Sequence, residues 1–198
     1  MGKIFYLIGK SCAGKDSLYN ILKNDADLDL RPIIRYTTRP IRDGEKDGVG
    51  YHFVGESEYR SFKDSKKIIE EQVYHTMYGD WYYFTADDGG IDITGNSYLA
   101  IGVLESFAGT RQYYGEDAVV PIYIDLDDGI RLQRALDRER LPENGKYAEM
   151  CRRFLSDEKD FSEERIRQLG ITDDSRFVND DLEECAKRIK EWILRSIR

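Results

Sequence analysis

The chain has 198 residues, of which 40% are hydrophobic and 34% charged, and its formal net charge is −8. That length suits one domain with a sizeable core, and no run of about 18 apolar residues exists to suggest a membrane span. The acidic balance excludes a general nucleic-acid coat, which needs a basic face. Cys12, Cys151 and Cys185 form no CxxC pair and have only His52 and His75 for company, so neither a zinc site nor a disulfide framework is expected.

At the amino terminus, MGKIFYLIGK has a short apolar run leading straight into glycines and a lysine. It lacks the length and the small-residue cleavage site of a signal peptide. It reads as a buried strand over Lys3 to Ile8, with the cytoplasm as the expected compartment. Gly9-Lys10-Ser11-Cys12-Ala13-Gly14-Lys15 comes next, followed by a helical stretch from about Lys15 to Lys23. A glycine-bearing loop between strand and helix is the setting of a Walker A phosphate cradle. Its backbone N–H groups point inward, the helix N-terminus adds positive potential, and the lysine reaches the terminal phosphates. Gly9, Ser11, Cys12, Ala13, Gly14 and Lys15 are therefore candidate ATP ligands, with Asp16 and Ser17 beside them. The position after the lysine normally offers a Ser or Thr hydroxyl to magnesium; here it is Asp16. A carboxylate can take a hard cation directly, although it also brings negative charge close to polyphosphate. Ser17 lies one residue further round the helix and is expected to point elsewhere.

Arg31 to Thr94 is rich in Tyr, Thr, Gly and charge, with short strand-like pieces, and reads as an insertion rather than core. Within it, Arg39 and Arg42 are three residues apart and can clamp a dianionic phosphate, with Tyr51 donating its hydroxyl. Core resumes with Tyr98–Val103 and Val119–Ile124, short, apolar and partly β-branched as buried parallel strands are. Each precedes a helical pattern, and the alternation points to an α/β sheet with crossovers. Arg131, Arg134, Arg138 and Arg140 lie on or just after the helix that follows Val119–Ile124. Gly145 marks a flexible connection, and Arg152 and Arg153 open the next helical stretch. Arg134 and Arg138 share a helix face, whereas a salt-bridged surface helix suits Arg131 and Arg140 better. Leu182, Ala186, Ile189, Ile193 and Ile197 fall at helical spacing, with Asp180 and Asp181 as candidate N-caps.

Several of these segments resemble the guanylate kinase family. Thr37-Thr38-Arg39-Pro40-Ile41-Arg42-Asp43-Gly44-Glu45, followed by Asp47-Gly48-Val49-Gly50-Tyr51-His52-Phe53-Val54, is similar to its TTRPxRxGExxGxxYxFV segment. Val178-Asn179-Asp180-Asp181-Leu182 is similar to its VNDDL. Arg134, Arg138 and Arg153 occupy the arginine places of its RLxxRG…IxxRL lid, with Glu139 in place of the glycine. With the phosphate loop, the resemblance covers nearly the whole chain.

The resemblance implies an α/β P-loop NTPase fold of three layers around a parallel central sheet. Its core would comprise 1–30, 95–130 and 154–198, with a nucleoside-monophosphate-binding insertion at about 31–94 and a helical lid at about 131–153. It implies ATP-dependent phosphorylation of GMP or dGMP with Mg²⁺, for which Asp16 is the candidate protein ligand. Lys15, Arg39, Arg134, Arg138 and Arg153 take the catalytic places, and Asn179 joins the ATP ligands. The GMP ligands implied are Arg35, Arg39, Arg42, Tyr51, Glu70, Tyr83 and Thr85. Glu70 matches the family carboxylate that accepts guanine N1–H and N2–H₂, with Glu71 the competing choice. Gly79-Asp80-Trp81-Tyr82-Tyr83-Phe84-Thr85 resembles GNxYG[TS] with an extra residue, which leaves Tyr82 as an alternative to Tyr83.

Two departures bear on the acceptor. Arg35 stands where many members carry Ser, and its guanidinium could donate to guanine O6 or point at phosphate. Ile101-Gly102-Val103-Leu104-Glu105 replaces an LDIDxQG strand end, so both aspartates are missing. The reaction class is thus better determined than the acceptor, and another nucleotide or a small phosphorylated metabolite is the alternative. A non-catalytic binding module of the same fold is a further reading, opposed by the retained Lys15 and lid arginines. Oligomeric state stays open.

Overall fold

The computed structural model describes residues 1–76, 79–141 and 145–197. Ile4–Ile8 (β1) is buried at every position, as a strand must be when both faces of its sheet are covered. After the phosphate loop, α1 runs over Lys15–Lys23, and the chain returns through a short strand, Leu30–Pro32 (β2).

The chain then builds a second sheet. Arg35–Thr37 (β3), Tyr51–Phe53 (β4), the helix Glu56–Asp64 (α2), Ile68–Thr76 (β5) and Gly79–Ala86 (β6) follow in turn. Their sheet has the order β4-β3-β6-β5. It carries its own apolar cluster, Tyr59, Phe84 and Ala86, with Tyr36, Val54, Phe62, Ile68 and Tyr82 packed against it. Met77 and Tyr78, inside the expected insertion, lie outside the described residues.

Ser97–Ile101 (β7), Leu104–Tyr114 (α3) and Val119–Asp125 (β8) rejoin the first sheet. Asp128–Arg140 (α4), Tyr147–Asp160 (α5), Glu163–Gln168 (α6), Arg176–Val178 (β9) and Leu182–Ile197 (α7) complete the chain. The sheet order is β2-β7-β1-β8-β9, and all its pairings are parallel. Alternation along β1 splits the core between two faces. Phe5 and Leu7 join Leu18, Leu22, Ile189 and Ile193 of α1 and α7, whereas Ile4, Tyr6 and Ile8 join Phe107 of α3 and Ile166 of α6. Among the described residues, no helix is long and apolar enough to cross a membrane.

Some limits differ from the sequence reading. Strand β7 stops at Ile101, not Val103, because Gly102 and Val103 turn into α3, where Ser106 Oγ accepts a hydrogen bond from the Val103 N–H. Strand β1 begins at Ile4 instead of Lys3, whose N–H is taken by the Ser97 side chain. Of the two candidate caps before α7, Asp181 does the capping, accepting from the Glu184 N–H at 2.9 Å. The Asp180 carboxylate instead accepts from the adjacent Asp181 N–H.

Candidate active site

The phosphate loop needs glycine at both ends. Gly9 has φ +154°, and a Cβ there would lie 2.4 Å from the Ile124 carbonyl oxygen. Gly14 has φ +92°, and its Cβ would meet the Asn179 amide nitrogen at 2.2 Å. Cys12 takes a left-handed φ of +62° without being glycine, a conformation that costs an ordinary side chain energy and persists where its surroundings impose it. Asn179 is buried, and its side-chain N–H donates to the Ala13 carbonyl at 2.7 Å, holding the loop from behind.

Cys12, Gly14, Lys15, Asp16, Ser17 and Asn179 line a cavity of about 350 Å³, and Arg134 and Arg138 of α4 close it from the other side. The first N–H groups of α1 have no partner within the helix and present their positive ends here. Lys15 Nζ donates to the Lys10 carbonyl at 3.0 Å. Burial holds its ammonium below the ordinary lysine range, against the opposing pull of Asp16 and Asp157. Ser17, at the open first turn of α1, also borders this cavity. Ser11 faces differently. Its N–H donates to Asp157 Oδ2 of α5 at 2.7 Å.

On the second sheet, Arg35 forms a bidentate pair with Glu70: Nε donates to Oε1 at 3.0 Å and Nη2 to Oε2 at 2.9 Å. Thr85 Oγ1 adds a third donor to Oε1 at 2.6 Å. The three residues meet because β5 and β6 set Glu70 opposite Thr85 and β3 lies on the other side of β6. Glu71, one residue on, falls on the opposite face, where the Tyr59 hydroxyl and Lys63 ammonium donate to it. Tyr82 stacks on Tyr59 at 4.0 Å between centroids and belongs to the apolar cluster. Tyr83 meets Tyr51 and Tyr74 edge-on, at 5.6 and 5.2 Å.

Arg39 is only 4% exposed and is spent internally. Its two terminal nitrogens donate to both oxygens of Glu45 at 2.9 and 2.8 Å, and Nη1 also donates to the Pro40 carbonyl. The guanidinium lies over the rings of Tyr51 and Phe53. Hydrogen bonds from Arg39 and from the Arg42 N–H pull the Glu45 carboxyl down to about 2. Sequence reasoning missed Glu45, though its place in the quoted motif was a signal.

Arg153 does not line the cavity with Arg134 and Arg138. It pairs loosely with Glu149 at 3.8 Å, and its charge is felt by Tyr74 of β5. Residues 142–144, within the expected lid, lie outside the described residues. Arg140 is exposed and pairs with Asp137, as a surface reading has it. Arg131 is different: it is salt-bridged but 1% exposed, because α4 turns it inward against α5 and the phosphate loop. Its spacing to Arg134 and Arg138 at i+3 and i+7 puts it on their face, which was the available signal.

Among the described residues, no three His, Cys, Asp or Glu side chains converge as a metal site. One carboxylate, Asp16, and one hydroxyl, Ser17, on the cavity wall suit a magnesium ion that arrives on nucleotide phosphates and keeps several waters.

The guanylate kinase family profile matches residues 1–84. The guanylate kinase of Salinibacter ruber is 30% identical over 207 residues, covering 96% of each chain. That of Porphyromonas gingivalis is 28% identical, covering 100% of this chain and 99% of its own. The guanylate kinase of Sulfurimonas denitrificans is 44% identical over 77 residues, a segment spanning 39% of this chain and 37% of that protein. In three dimensions, the guanylate kinase of Anaplasma phagocytophilum aligns over 98% of this chain and 85% of its own, with a TM-score of 0.66 and 22% identity. Likeness at that identity concerns the fold. The end-to-end sequence match and the P-loop architecture together establish that the chain belongs to the guanylate kinase family.

Proposed function

We propose that this protein transfers the γ-phosphoryl group of ATP to GMP or dGMP. The observation that carries the reading is the cavity in which Lys15, Arg134 and Arg138 converge on the phosphate loop. Phosphoryl transfer asks little covalent chemistry of the protein; it asks for fixed cationic donors around the charge on the moving group. Lys15 and the loop N–H groups hold the ATP phosphates, with Asn179 supporting the loop. Arg134 and Arg138 meet the transferring group, and Arg153, outside the cavity lining, joins them when the lid closes.

The acceptor is held by the second sheet. Arg42 and Tyr51 take its phosphate, joined by Arg39 once the phosphate displaces or shares its Glu45 partner, while Glu70, Thr85 and Arg35 read the base and Tyr83 lines the site. The acceptor phosphate is already nucleophilic at neutral pH, so no protein general base is required. When bound with ATP, magnesium would neutralise charge on the phosphates, and Asp16 and Ser17 are the side chains that would hold it. In this reading 1–30, 95–130 and 154–198 form the core, about 31–94 bind the acceptor, and about 131–153 act as the lid that excludes water.

One observation favours a second reading, in which a different phosphorylated acceptor is used. Glu70 Oε1 already accepts from both Arg35 and Thr85, so a guanine must displace or share those donors. A coupled assay with ATP against GMP, dGMP, AMP, CMP and UMP decides. Preference for GMP or dGMP supports the first reading; preference for another acceptor establishes the second.

A further inference from the structure

Arg131 is the largest side chain among the described residues that the fold buries completely. A buried guanidinium persists only if its donors and charge are met, and here they are met by three separate segments. Nε donates to Asp128 Oδ1 of its own helix at 3.0 Å. Nη2 donates to Glu158 Oε1 of α5 at 3.1 Å, and Nη1 reaches Asp157 Oδ2 at 3.5 Å. Nη1 also donates to the Ser11 carbonyl of the phosphate loop at 3.3 Å, and the guanidinium lies 4.9 Å over the Phe154 ring.

The same carboxylates continue to the loop. Asp157 Oδ2 accepts from the Ser11 N–H at 2.7 Å, and Glu158 Oε1 accepts from Lys10 Nζ at 2.6 Å. Both backbone polar groups of Ser11 are therefore held by one network. Arg153 sits four residues before Asp157 on α5 and shares its face. Its root is thus one helical turn, about 6 Å of axial rise, from the point where α5 is bonded to the loop. Arg134 stands three residues after Arg131 on α4.

We infer that Arg131 is a positioning residue for phosphoryl transfer, setting both arginine-bearing helices in register with the phosphate loop through Asp157 and Glu158. The inference rests on the proposed roles of Arg134, Arg138 and Arg153. Arginine suits the place because its planar fork addresses several acceptors at once, which a lysine ammonium does not do in one plane.

The experiment compares Arg131→Met, Arg131→Lys and Asp157→Ala, each alone and combined with Arg153→Met. Amide exchange of the nucleotide-free proteins is measured first. Ser11 and helix α5 should exchange about tenfold faster or more in Arg131→Met and Asp157→Ala, while β1 and α7 keep their protection. Steady-state kinetics follow. The kcat should fall about tenfold or more with the KM for ATP little changed, and Arg153→Met should cost much less in either background than in wild type, the non-additivity of coupled residues. Arg131→Lys should restore part of kcat.

Unchanged exchange at Ser11 and α5 in folded Asp157→Ala overturns the inference, as do strictly multiplicative kinetics. Should Arg131→Met fail to fold, Asp157→Ala still decides, because it removes one acceptor and leaves the arginine paired. Absence of turnover in the wild-type protein would sink the functional reading instead; the exchange comparison then decides by itself whether Arg131 registers α5 on the loop.

Discussion

Gly109 and Glu70 approach so closely that a Cβ built on the glycine would lie 2.5 Å from the Cβ of the glutamate. Glycine inside a helix is unfavourable by about 1 kcal/mol relative to alanine. In α3 it lets β5 lie directly against the helix, which sets the depth of the carboxylate proposed to read the base. Gly109→Ala should therefore gain helix propensity yet lose about 1–3 kcal/mol to overpacking. The sharper effect is expected on the acceptor: its KM should rise several-fold while the KM for ATP stays close to wild type. Equal changes in both would mean that Glu70 has not been displaced.

Glu70 itself is open to a direct test. Glu70→Gln keeps the shape and removes the charge proposed to accept two guanine N–H bonds. The ratio of kcat/KM for GMP over AMP should fall by a factor corresponding to about 1.5–3 kcal/mol, the range for hydrogen bonds to a charged group. An unchanged base ranking in the folded variant would take Glu70 out of recognition.

Lys15 carries a pH prediction whose sign follows from its surroundings. Burial lowers its pKa, so the ammonium loses its proton at a lower pH than an ordinary lysine does. Polyphosphate binds the charged form, and the KM for ATP should rise as pH increases through that lowered pKa. Lys15→Arg should flatten this alkaline limb, and Lys15→Ala should abolish turnover with the fold intact by circular dichroism. A KM for ATP independent of alkaline pH in wild type would contradict the assignment.

Asp16 is expected to raise the demand for a divalent cation, since without metal its charge opposes the β- and γ-phosphates. The helix N-terminus offsets this by about 0.3–1 kcal/mol. Asp16→Ser should remain active and need less magnesium for half-maximal rate, whereas Asp16→Ala should lose rate and need more. Titrating magnesium at fixed ATP for the three proteins measures this, and superimposable curves would show that Asp16 does not sense the metal.

The parts of the site that were legible in the sequence are those whose meaning is local. The strand–loop–helix at Gly9–Lys15 announces itself through glycine placement and periodicity, and α1 and α7 run over the residues the pattern marks. What the pattern did not show are partnerships made across the chain. Arg35 finds Glu70 only because β3 and β5 flank β6. Arg39 turns to Glu45 because the loop after β3 folds back on itself, bringing the carboxylate within 2.8 Å. Arg131 looks like one of several surface arginines until α5 returns with Asp157 and Glu158 to enclose it.

The two sheets also differ in how far apart in the chain their partners lie, and this orders their assembly. In the second sheet β5 pairs with the very next strand, Thr76 facing Gly79. In the first, β1 is flanked by strands from the middle of the chain: Ile4 pairs with Tyr98 on one side and Val119 on the other. Closing such long loops must precede any reward from the contacts they make, which slows folding. The outlying sheet, with its own apolar cluster, should therefore gain protection before the central one. Pulsed hydrogen exchange during refolding should label Phe5 and Leu7 amides at times when Phe84 is already shielded. Simultaneous protection of both sheets would show that the chain folds as one unit, and the outlying sheet would then have no independent life even as a transient.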